Sequence, residues 1–405
     1  MEVKPGYKQT EVGVIPEEWE VNVLGKGLAE RPRYGINAAA VPYSDTLPVY
    51  IRITDISEDG RFSPDKHVSV KSELSGGYYL SDGDLVFART GASVGKSYRY
   101  NPNDGPLVYA GFLIRIRPDT QKLLPDFVAA YVTTGNYWRW VRLMSMRSGQ
   151  PGINGNEYSQ LPIPCPPLPE QRAIATALSD VDGLLGGLDR LIAKKRDLKQ
   201  AAMQQLLTGQ TRLPGWDGAW MVKRLGEICE IAMGRTPPRL NQAYWGHGYK
   251  WLSIADLQTK VVSDSKEEIT ELAASMMTII PKGTLLMSFK LSLGRMCFAG
   301  CDLFTNEAIC SFNRLQANAE FLYYVLGRTD FSLYGKQAVK GYTLNKESLK
   351  SIKVALPPLP EQTAIAEVLT EMDGELAVLE QRREKTRALK QAMMQELLTG
   401  QTRLV

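Results

Sequence analysis

A segment of 49 residues occurs twice in this chain of 405 residues, and this duplication constrains the fold more than any other feature. Residues 165–213 align with residues 356–404 without a gap, and 30 of the 49 positions are identical. Both copies begin near Pro-Pro-Leu-Pro-Glu-Gln and end with Leu-Leu-Thr-Gly-Gln-Thr-Arg-Leu. Because internal repeats indicate repeated structural units, we expect the chain to contain one kind of unit twice.

The segments that precede the two copies correspond more loosely. Their offset falls from 201 near the start of the chain to 191 beside the repeats, so the first segment carries ten extra residues. The matched pairs are Trp19 and Trp220, Asp55 and Asp256, Gly95 and Gly294, and Asn154 and Asn345. The predicted parts are a variable domain in residues 1–164, a helical segment in 165–213, a second variable domain in 214–355 and a second helical segment in 356–405.

Each repeated segment has the pattern of a long helix. Apolar residues alternate spacings of four and three, which is the seam of a coiled coil. Pro169 and Pro360 suit a first helical turn, and Gly209 and Gly400 suit C-terminal caps, so each helix should have about 38 residues and a length of ~57 Å. The seam should lapse near residues 194–196 and 382–383. It should resume at Leu198, Ala202 and Leu206, and at Leu389, Met393 and Leu397. Its predicted residues are Ile174, Leu178, Val181, Leu185 and Leu188, and Ile365, Leu369, Met372, Leu376 and Leu379.

A helix with a narrow apolar seam must pack against another helix, and the second copy of the repeat is a suitable partner for the first. Because both helices end in the same Gln-Thr-Arg-Leu tetrad, antiparallel pairing would return the end of the chain to its first domain. The variable domains read as mixed α/β, with strands at Val49–Ile53 and Leu85–Ala88 and helices at Phe127–Trp140 and Phe321–Leu326. We therefore predict an α/β protein with two pseudo-symmetric domains, separated by two long antiparallel helices that form a coiled coil.

No catalytic or metal-binding constellation is visible in the sequence. The segment from Gly91 to Ser97 resembles a P-loop, but three residues instead of four separate its glycines, so we expect a tight turn between strands. His67 and His247 have no partners at metal-ligand spacing, and we expect no metal. Five cysteines fit buried thiols in a reducing, cytoplasmic compartment better than a disulfide framework. Neither a signal peptide nor a membrane span is indicated.

Basic residues alternate with aromatic residues and with Gly/Pro loops in both variable domains. The net charge is only +4, so a polyanionic partner must be bound by local patches. Such loops suit contacts with phosphates and base edges, and nucleic-acid binding is the leading function class. The candidate contact residues are Arg31, Arg33, Tyr34, Arg89, Lys96, Arg99, Arg139 and Arg147, and Arg235, Arg239, Lys290, Arg295, Lys336, Lys340 and Tyr342.

Taken together, these motifs resemble the DNA-specificity subunit of type I restriction-modification systems over essentially the whole chain. The twin Pro-Pro-Leu-Pro-Glu-Gln helix starts carry much of the resemblance. In the first domain, residues Ala29–Arg33 stand where the second domain has the fuller family loop that begins at Gly234. The other segments that carry the resemblance are Tyr7–Gly13, Ile15–Trp19, Gly234–Pro237, Tyr244–Gly246, Trp251–Leu257 and Asn345.

The resemblance implies two target-recognition domains that each recognise one half of a split, asymmetric DNA site. It implies that the chain is not an enzyme and that two methyltransferase subunits and endonuclease/translocase subunits dock on it. S-adenosylmethionine, ATP and Mg²⁺ would then be bound by those partners, with no cofactor bound by this chain. Two alternatives remain at this point: a coiled-coil scaffold without sequence recognition, and a P-loop nucleotide-binding enzyme. Salt-dependent binding to a defined duplex tests the first alternative, and nucleotide binding tests the second.

Overall fold

The computed structural model describes residues 4–146, 151–290, 292–338 and 341–404, with the side chains of 336–338 and 341–343 left out. The chain divides into two compact units. The first unit comprises Met1–Asp189 and Gln381–Val405, and the second comprises Arg190–Glu380. Each unit thus contains one variable domain together with part of both repeated segments. Among the described residues, no helix is long and apolar enough to span a membrane.

The first unit contains two four-stranded sheets, with strand orders β10-β6-β7-β5 and β4-β11-β8-β9. Strand β10 runs parallel to β6, and the second sheet is antiparallel throughout. The strands are β1 (Tyr7–Thr10), β2 (Gly13–Pro16), β3 (Glu20–Val23), β4 (Arg33–Tyr34), β5 (Ala40–Pro42), β6 (Val49–Ile51), β7 (Val68–Val70), β8 (Leu85–Ala88), β9 (Ser97–Arg99), β10 (Leu107–Tyr109), β11 (Leu113–Ile116) and β12 (Pro162–Cys165). The helices are α1 (Pro125–Tyr131), α2 (Gly135–Ser145), α3 (Gly155–Ser159) and α4 (Leu168–Leu206), which continues into the second unit.

The second unit contains a five-stranded sheet of order β14-β21-β18-β19-β16 and a three-stranded sheet of order β17-β15-β20. The strands are β13 (Met221–Arg224), β14 (Glu230–Met233), β15 (Trp245–Leu252), β16 (Val261–Val262), β17 (Glu267–Ile269), β18 (Leu285–Ser288), β19 (Met296–Ala299), β20 (Phe304–Thr305), β21 (Ile309–Asn313), β22 (Lys336–Ala338), β23 (Gly341–Thr343) and β24 (Lys353–Leu356). The helices are α5 (Leu225–Ile228), α6 (Glu271–Ala274), α7 (Ala319–Gly327), α8 (Lys346–Ser351) and α9 (Leu359–Leu397).

The residues matched between the variable domains have the same structural roles. Asp55 accepts the backbone N–H of Arg52 at 2.8 Å, and Asp256 accepts that of Ser253 at 2.8 Å. Each carboxylate closes a short helical turn directly after a strand, because a side-chain acceptor satisfies an otherwise unpaired N–H at the helix start. The loose alignment at offset 201 therefore identified equivalent positions.

Two further matched pairs confirm this equivalence. Asn154 and Asn345 are N-caps of α3 and α8, and their side-chain oxygens accept backbone N–H groups at 2.9 and 2.7 Å. Gly95 and Gly294 have φ angles of 88° and 76° in the turns that join β8 to β9 and β18 to β19. The P-loop-like segment is thus a strand-to-strand turn, as the sequence predicted, since a positive φ favours glycine there.

The long helices confirm the sequence prediction closely. Helices α4 and α9 each have 39 residues and begin at Leu168 and Leu359, which places Pro169 and Pro360 in their first turns. Gly209 follows the first helix with a φ of 71°. The predicted single helix at 127–140 is instead two helices, α1 and α2, because Thr134 caps a new helix by accepting the N–H of Tyr137.

Within each unit, ion pairs show that the two helices run antiparallel. In the first unit, Asp182 lies 2.7 Å from Lys390 and Asp189 lies 3.5 Å from Arg383, so the numbers rise along one helix as they fall along the other. In the second unit, Lys195 pairs with Glu375 at 2.5 Å, Arg196 pairs with Glu380, and Lys199 pairs with Asp373. The predicted antiparallel arrangement is confirmed inside each unit.

The apolar seam is shorter than the sequence predicted. Ile174, Leu178, Leu185 and Leu188 are buried in the first unit, as are Ile365 and Leu369 in the second. Val181, Met372, Leu376 and Leu379 are half-buried. The seam resumes later than predicted: Leu198 and Leu389 are 48% and 56% exposed, Ala202 and Met393 are half-buried, and Leu206 and Leu397 are buried. Charged pairs replace apolar contacts along this part of the helices.

A substitution at Leu185 tests the seam in the first unit. Leu185 is 7% exposed, whereas its neighbour Leu184 is 45% exposed. Leu185→Asp places an uncompensated charge among apolar side chains. We therefore expect the free energy of unfolding to fall by about 3 kcal/mol. The control Leu184→Asp should change it by less than about 0.5 kcal/mol. Urea unfolding measures both values, and equal effects of the two variants would contradict this packing.

In each unit, the start of one repeat meets the end of the other repeat in an ion pair, which we call the terminal clasp. In the first unit, the guanidinium of Arg403 binds the fully buried carboxylate of Glu170, which also accepts the indole N–H of Trp19 at 3.0 Å. In the second unit, Arg212 binds Glu361 at 2.5 Å. The clasp gives a structural reason for the repetition of Pro-Glu-Gln and Gln-Thr-Arg in the sequence.

The glutamine of each Pro-Glu-Gln motif joins its helix to the variable domain. The side-chain oxygen of Gln171 accepts the N–H of Leu124 at 2.9 Å, and its amide donates to the carbonyl of Pro166 at 2.9 Å. The side chain of Gln362 accepts the N–H of Asn318 at 2.9 Å in the same way. Because both side chains are buried and are hydrogen-bonded through oxygen and nitrogen, this residue fixes each helix start against its domain.

Candidate nucleic-acid interface

In the first unit, the sheet brings Tyr34 and Arg89 together. Tyr34 lies on β4 and Arg89 follows β8, and both strands pair with β11. The guanidinium carbon of Arg89 lies 4.9 Å from the ring centroid of Tyr34, whose hydroxyl accepts the N–H of Gly155 at 3.1 Å. This stacking holds the guanidinium in a defined orientation. Two residues that the sequence predicted separately therefore form one site.

Arg33 lies beside this site and stacks on a tyrosine that the sequence analysis missed. Its guanidinium carbon is 4.9 Å from the ring centroid of Tyr78. Arg31 and Arg33 are exposed. Within the described part of the chain, neither arginine nor Arg89 has a carboxylate within 4.0 Å. These three cations thus keep their charge available for phosphates or for base edges.

A glycine marks the same loop in both units. The N–H of Gly35 donates to the carbonyl of Leu113 at 3.0 Å, and that of Gly234 donates to the carbonyl of Ile309 at 3.0 Å. A Cβ atom on either glycine would lie within 2.4 Å of backbone oxygens, so a larger residue cannot fit. The loop that begins at Gly234 therefore corresponds to Gly35 and not to the expected segment 29–33. The offset of 199 that matched Gly95 with Gly294 would have found this pair.

In the second unit, hydrogen bonds fix the recognition loop, residues 234–239, against the sheets. The N–H of Arg235 donates to the carbonyl of Thr305 at 2.8 Å, and the indole of Trp251 donates to the carbonyl of Arg235 at 3.0 Å. The indole of Trp245 donates to the carbonyl of Pro238 at 3.2 Å. Because its backbone is ordered by these bonds, the loop is prepared to bind without a large entropic cost.

Arg239 closes this loop and is already paired. Its guanidinium carbon lies 4.1 Å from the ring centroid of Trp245 and 4.8 Å from that of Trp251. Both terminal nitrogens bind the carboxylate of Glu267, one of them at 3.0 Å. Direct contact between this guanidinium and a base would therefore use the N–H groups that Glu267 leaves free, or it would displace Glu267. In this arrangement Arg239 joins the loop to Glu267 on β17.

Glu307 completes the site and was missed by the sequence analysis. The hydroxyl of Thr236 donates to its carboxylate. This bond, with the positive charges of Lys290 and Arg239 nearby, lowers the pKa of Glu307 below its ordinary value. Arg235 is exposed and Lys290 is half-buried beside Phe289. The site therefore combines cations, tryptophans and the carboxylates of Glu267 and Glu307.

The remaining predicted contact residues lie in other surroundings. Lys96 pairs with Glu58 at 2.7 Å, and Arg99 pairs with Asp126 at 2.6 Å and Asp82 at 3.0 Å, so these pairs account for both residues without DNA. Arg139 lies on α2 and lines a groove with the end of α9, and Arg295 is exposed in the β18–β19 turn. Lys336 and Tyr342 lie on β22 and β23. Arg147 and Lys340 lie outside the described residues.

The cysteines fit structural roles in the described part of the chain. All five are free thiols, and no group of three metal-ligating side chains was found among the described residues. Burial raises the pKa of Cys229 to about 11 and that of Cys297 to about 12. Thiols with such pKa values carry almost no thiolate at neutral pH, which makes them poor nucleophiles and poor metal ligands.

Comparison with known proteins detects the same internal duplication. The family model described as the type I restriction modification DNA specificity domain matches the chain twice, over residues 42–192 and 218–387. The provisionally named type I restriction enzyme MjaX specificity subunit of Methanocaldococcus jannaschii is 28% identical over 98% of this chain and 97% of its own length. The StySPI specificity subunit of Salmonella potsdam is 24% identical over 87% of this chain and 81% of its own length.

Solved structures share the fold over nearly the full chain. A crystal structure of the type I restriction-modification system S subunit from M. genitalium has a TM-score of 0.62 at 14% identity and covers 98% of both chains. A chain from a structure on complex assembly and conformational transition of the type I R-M system has a TM-score of 0.58 at 20% identity. It covers 96% of this chain and 99% of its own.

Proposed function

We propose, on the premise that this chain belongs to the type I restriction-modification DNA specificity family, that each of its two units recognises one half of a split DNA site. As a member of this family, the chain is the DNA-recognition subunit of a restriction-modification complex and not the enzyme. The residues that each unit presents support the arrangement of the recognised site, and family membership supports the partner subunits.

The observation that carries the proposal is the oriented cationic site at equivalent loops of the two units. In the first unit, Arg89 and Arg33 stack on tyrosines. In the second unit, Arg235 and Lys290 accompany a loop fixed by two tryptophans. Guanidinium groups held in one orientation suit both phosphate contact and bidentate recognition of base edges. Because the two sets of residues differ, the two half-sites should differ and the complete site should be asymmetric.

The partners supply the chemistry in this proposal. Assembly with the other subunits of a type I restriction-modification system follows from family membership. We propose that two methyltransferase subunits bind the chain and that endonuclease/translocase subunits join them. These partners would hold S-adenosylmethionine, ATP and Mg²⁺, and the assembly would work in the cytoplasm, where its DNA substrate lies.

The two alternative functions have little support. A P-loop enzyme would need Lys96 free for a nucleotide phosphate, whereas Lys96 pairs with Glu58 and follows a tight turn at Gly95. A scaffold without DNA recognition would not need arginines that stack on aromatic rings in loops of both units. DNA recognition explains both features.

A selection experiment tests the proposal. The chain, assembled with its cognate methyltransferase subunits, is offered a library of random duplexes, and the bound duplexes are sequenced. We expect one bipartite sequence to be enriched. The logarithm of its binding constant should fall linearly with the logarithm of the salt concentration. The chain alone should neither hydrolyse ATP nor transfer methyl groups. Equal binding of unrelated duplexes would favour the scaffold function, and ATP hydrolysis by the chain alone would favour the P-loop enzyme.

A further inference from the structure

We propose that Glu307 is a specificity-determining residue, which accepts a hydrogen bond from the exocyclic amino group of one cytosine or adenine in the half-site recognised by the second unit. The inference rests on the proposed function, since it names a base contact within it. It adds an acidic residue to a site that the sequence analysis described only by its basic and aromatic members.

Glu307 is placed by a rigid turn at the recognition loop. It lies between β20 and β21, where the N–H of Ile309 donates to the carbonyl of Asn306 at 3.2 Å and the side chain of Asn306 accepts the N–H of Ala308 at 3.1 Å. Gly234, at the start of the recognition loop, donates to the carbonyl of Ile309 at 3.0 Å. The turn and the loop are therefore held together. These bonds fix the backbone from which the exposed side chain of Glu307 extends.

The orientation of the carboxylate leaves one oxygen available. Thr236 donates to Oε2 of Glu307, and within the described part of the chain Oε1 accepts no hydrogen bond from another residue. The bond to Thr236 and the charges of Lys290 and Arg239 lower the pKa of the carboxyl group. The group is ionised at neutral pH and can only accept hydrogen bonds. Its free oxygen suits the amino groups of cytosine N4 and adenine N6.

The carboxylate also differs from its acidic neighbours. Glu267 pairs with Arg239, and Glu268 pairs with Lys250 at 2.6 Å. Among the described residues, Glu307 has no cationic nitrogen within 4.0 Å. An unpaired negative charge in a DNA-binding loop repels phosphates, so contact with a base donor explains its presence better than general affinity for DNA.

In the first unit, a glycine occupies the position equivalent to Glu307. The N–H of Arg89 donates to the carbonyl of Phe112 at 3.0 Å, and the N–H of Phe289 donates to the carbonyl of Ala308 at 3.0 Å. These bonds make Phe112 equivalent to Ala308, so Gly111 stands where the second unit has Glu307. The effect of a substitution at Glu307 should therefore be confined to one half of the recognised sequence.

The test compares the selected sequences of the assembled complex with wild-type chain, Glu307→Gln and the control Glu230→Gln. Glu230 is an exposed carboxylate that pairs with Arg314 at 2.7 Å, at the opposite end of β14 from Gly234. We expect Glu307→Gln to change the preference at one base pair of one half-site by about 10-fold or more. The other half-site and the control should keep the wild-type preference, and thermal unfolding should be unchanged.

A second arm identifies the base. At the affected position, cytosine is replaced by 2-pyrimidinone or adenine by purine, which lack the N4 or N6 amino group. Wild-type complex should lose about 10-fold in affinity for the matching analogue, whereas Glu307→Ala should lose nothing further. Thr236→Val should weaken the same preference, since it removes the donor that orients the carboxylate.

Three outcomes would overturn the inference. If Glu307→Gln lowered the affinity for all duplexes equally, the residue would have only a structural role. If it raised the affinity for all duplexes equally, the role of Glu307 would be electrostatic repulsion of phosphates. A selected sequence that does not change with Glu307→Gln would exclude base contact. Failure of the wild-type complex to select any sequence would instead refute the proposed function, which separates the two ideas.

Discussion

Exchange of residues 216–350 for the same segment of a relative is expected to change one half of the recognised sequence and to leave the other half intact. The segment lies entirely within the second unit, Arg190–Glu380, between the terminal clasp residue Arg212 and the start of α9. It contains the recognition loop, Glu307 and Lys290. The proposed base contacts of this unit thus move together, while the helix ends that fix the domain stay in place.

The expected effect is large because several base pairs change at once. Each mismatched base pair costs about 1–3 kcal/mol, so methylation of the original site should fall by roughly 10³-fold or more. Methylation mapping before and after the exchange measures this change. The matched control is exchange of residues 15–159, which lie in the first unit and should change only the other half. If either exchange altered both halves, the units would not recognise DNA independently.

Glu170→Ala is expected to destabilise the first unit more than any other single substitution considered. The carboxylate is fully buried and joins Arg403 and the indole N–H of Trp19. Its removal leaves the guanidinium of Arg403 with only the exposed carboxylate of Glu18 as a partner, and it leaves the buried indole N–H of Trp19 without an acceptor. We expect the free energy of unfolding of this unit to fall by about 3–5 kcal/mol.

Glu18→Ala is the matched control for this prediction. Glu18 also contacts Arg403, at 3.2 Å, but its side chain is 74% exposed, and an exposed ion pair contributes no more than about 1 kcal/mol. Hydrogen–deuterium exchange during urea unfolding distinguishes the two units. Glu170→Ala should speed exchange in β1, β2 and β3 and leave β13–β24 unchanged. Similar stabilities of the two variants would show that the clasp is not a major source of stability.

The candidate site was only partly predictable. The sequence indicated Tyr34, Arg89, Arg235 and Lys290 because basic and aromatic residues in Gly/Pro loops are visible in the chain itself. It gave no reason to connect Tyr34 with Arg89, since their contact depends on the pairing of both β4 and β8 with β11. Basic residues alone also could not show which cations are already neutralised.

The sequence by itself determined the duplication, the bounds of the long helices and the caps, because these features depend on neighbours within a few residues. Asn154 and Asn345 bind N–H groups only three residues away, and helix periodicity repeats within one heptad. Only the tertiary structure decided which charges remain free. Arg239 meets Glu267 and Thr236 meets Glu307 across separations of 28 and 71 residues. Such contacts depend on how strands and loops that are distant in sequence pack together. A local sequence pattern does not predict this packing.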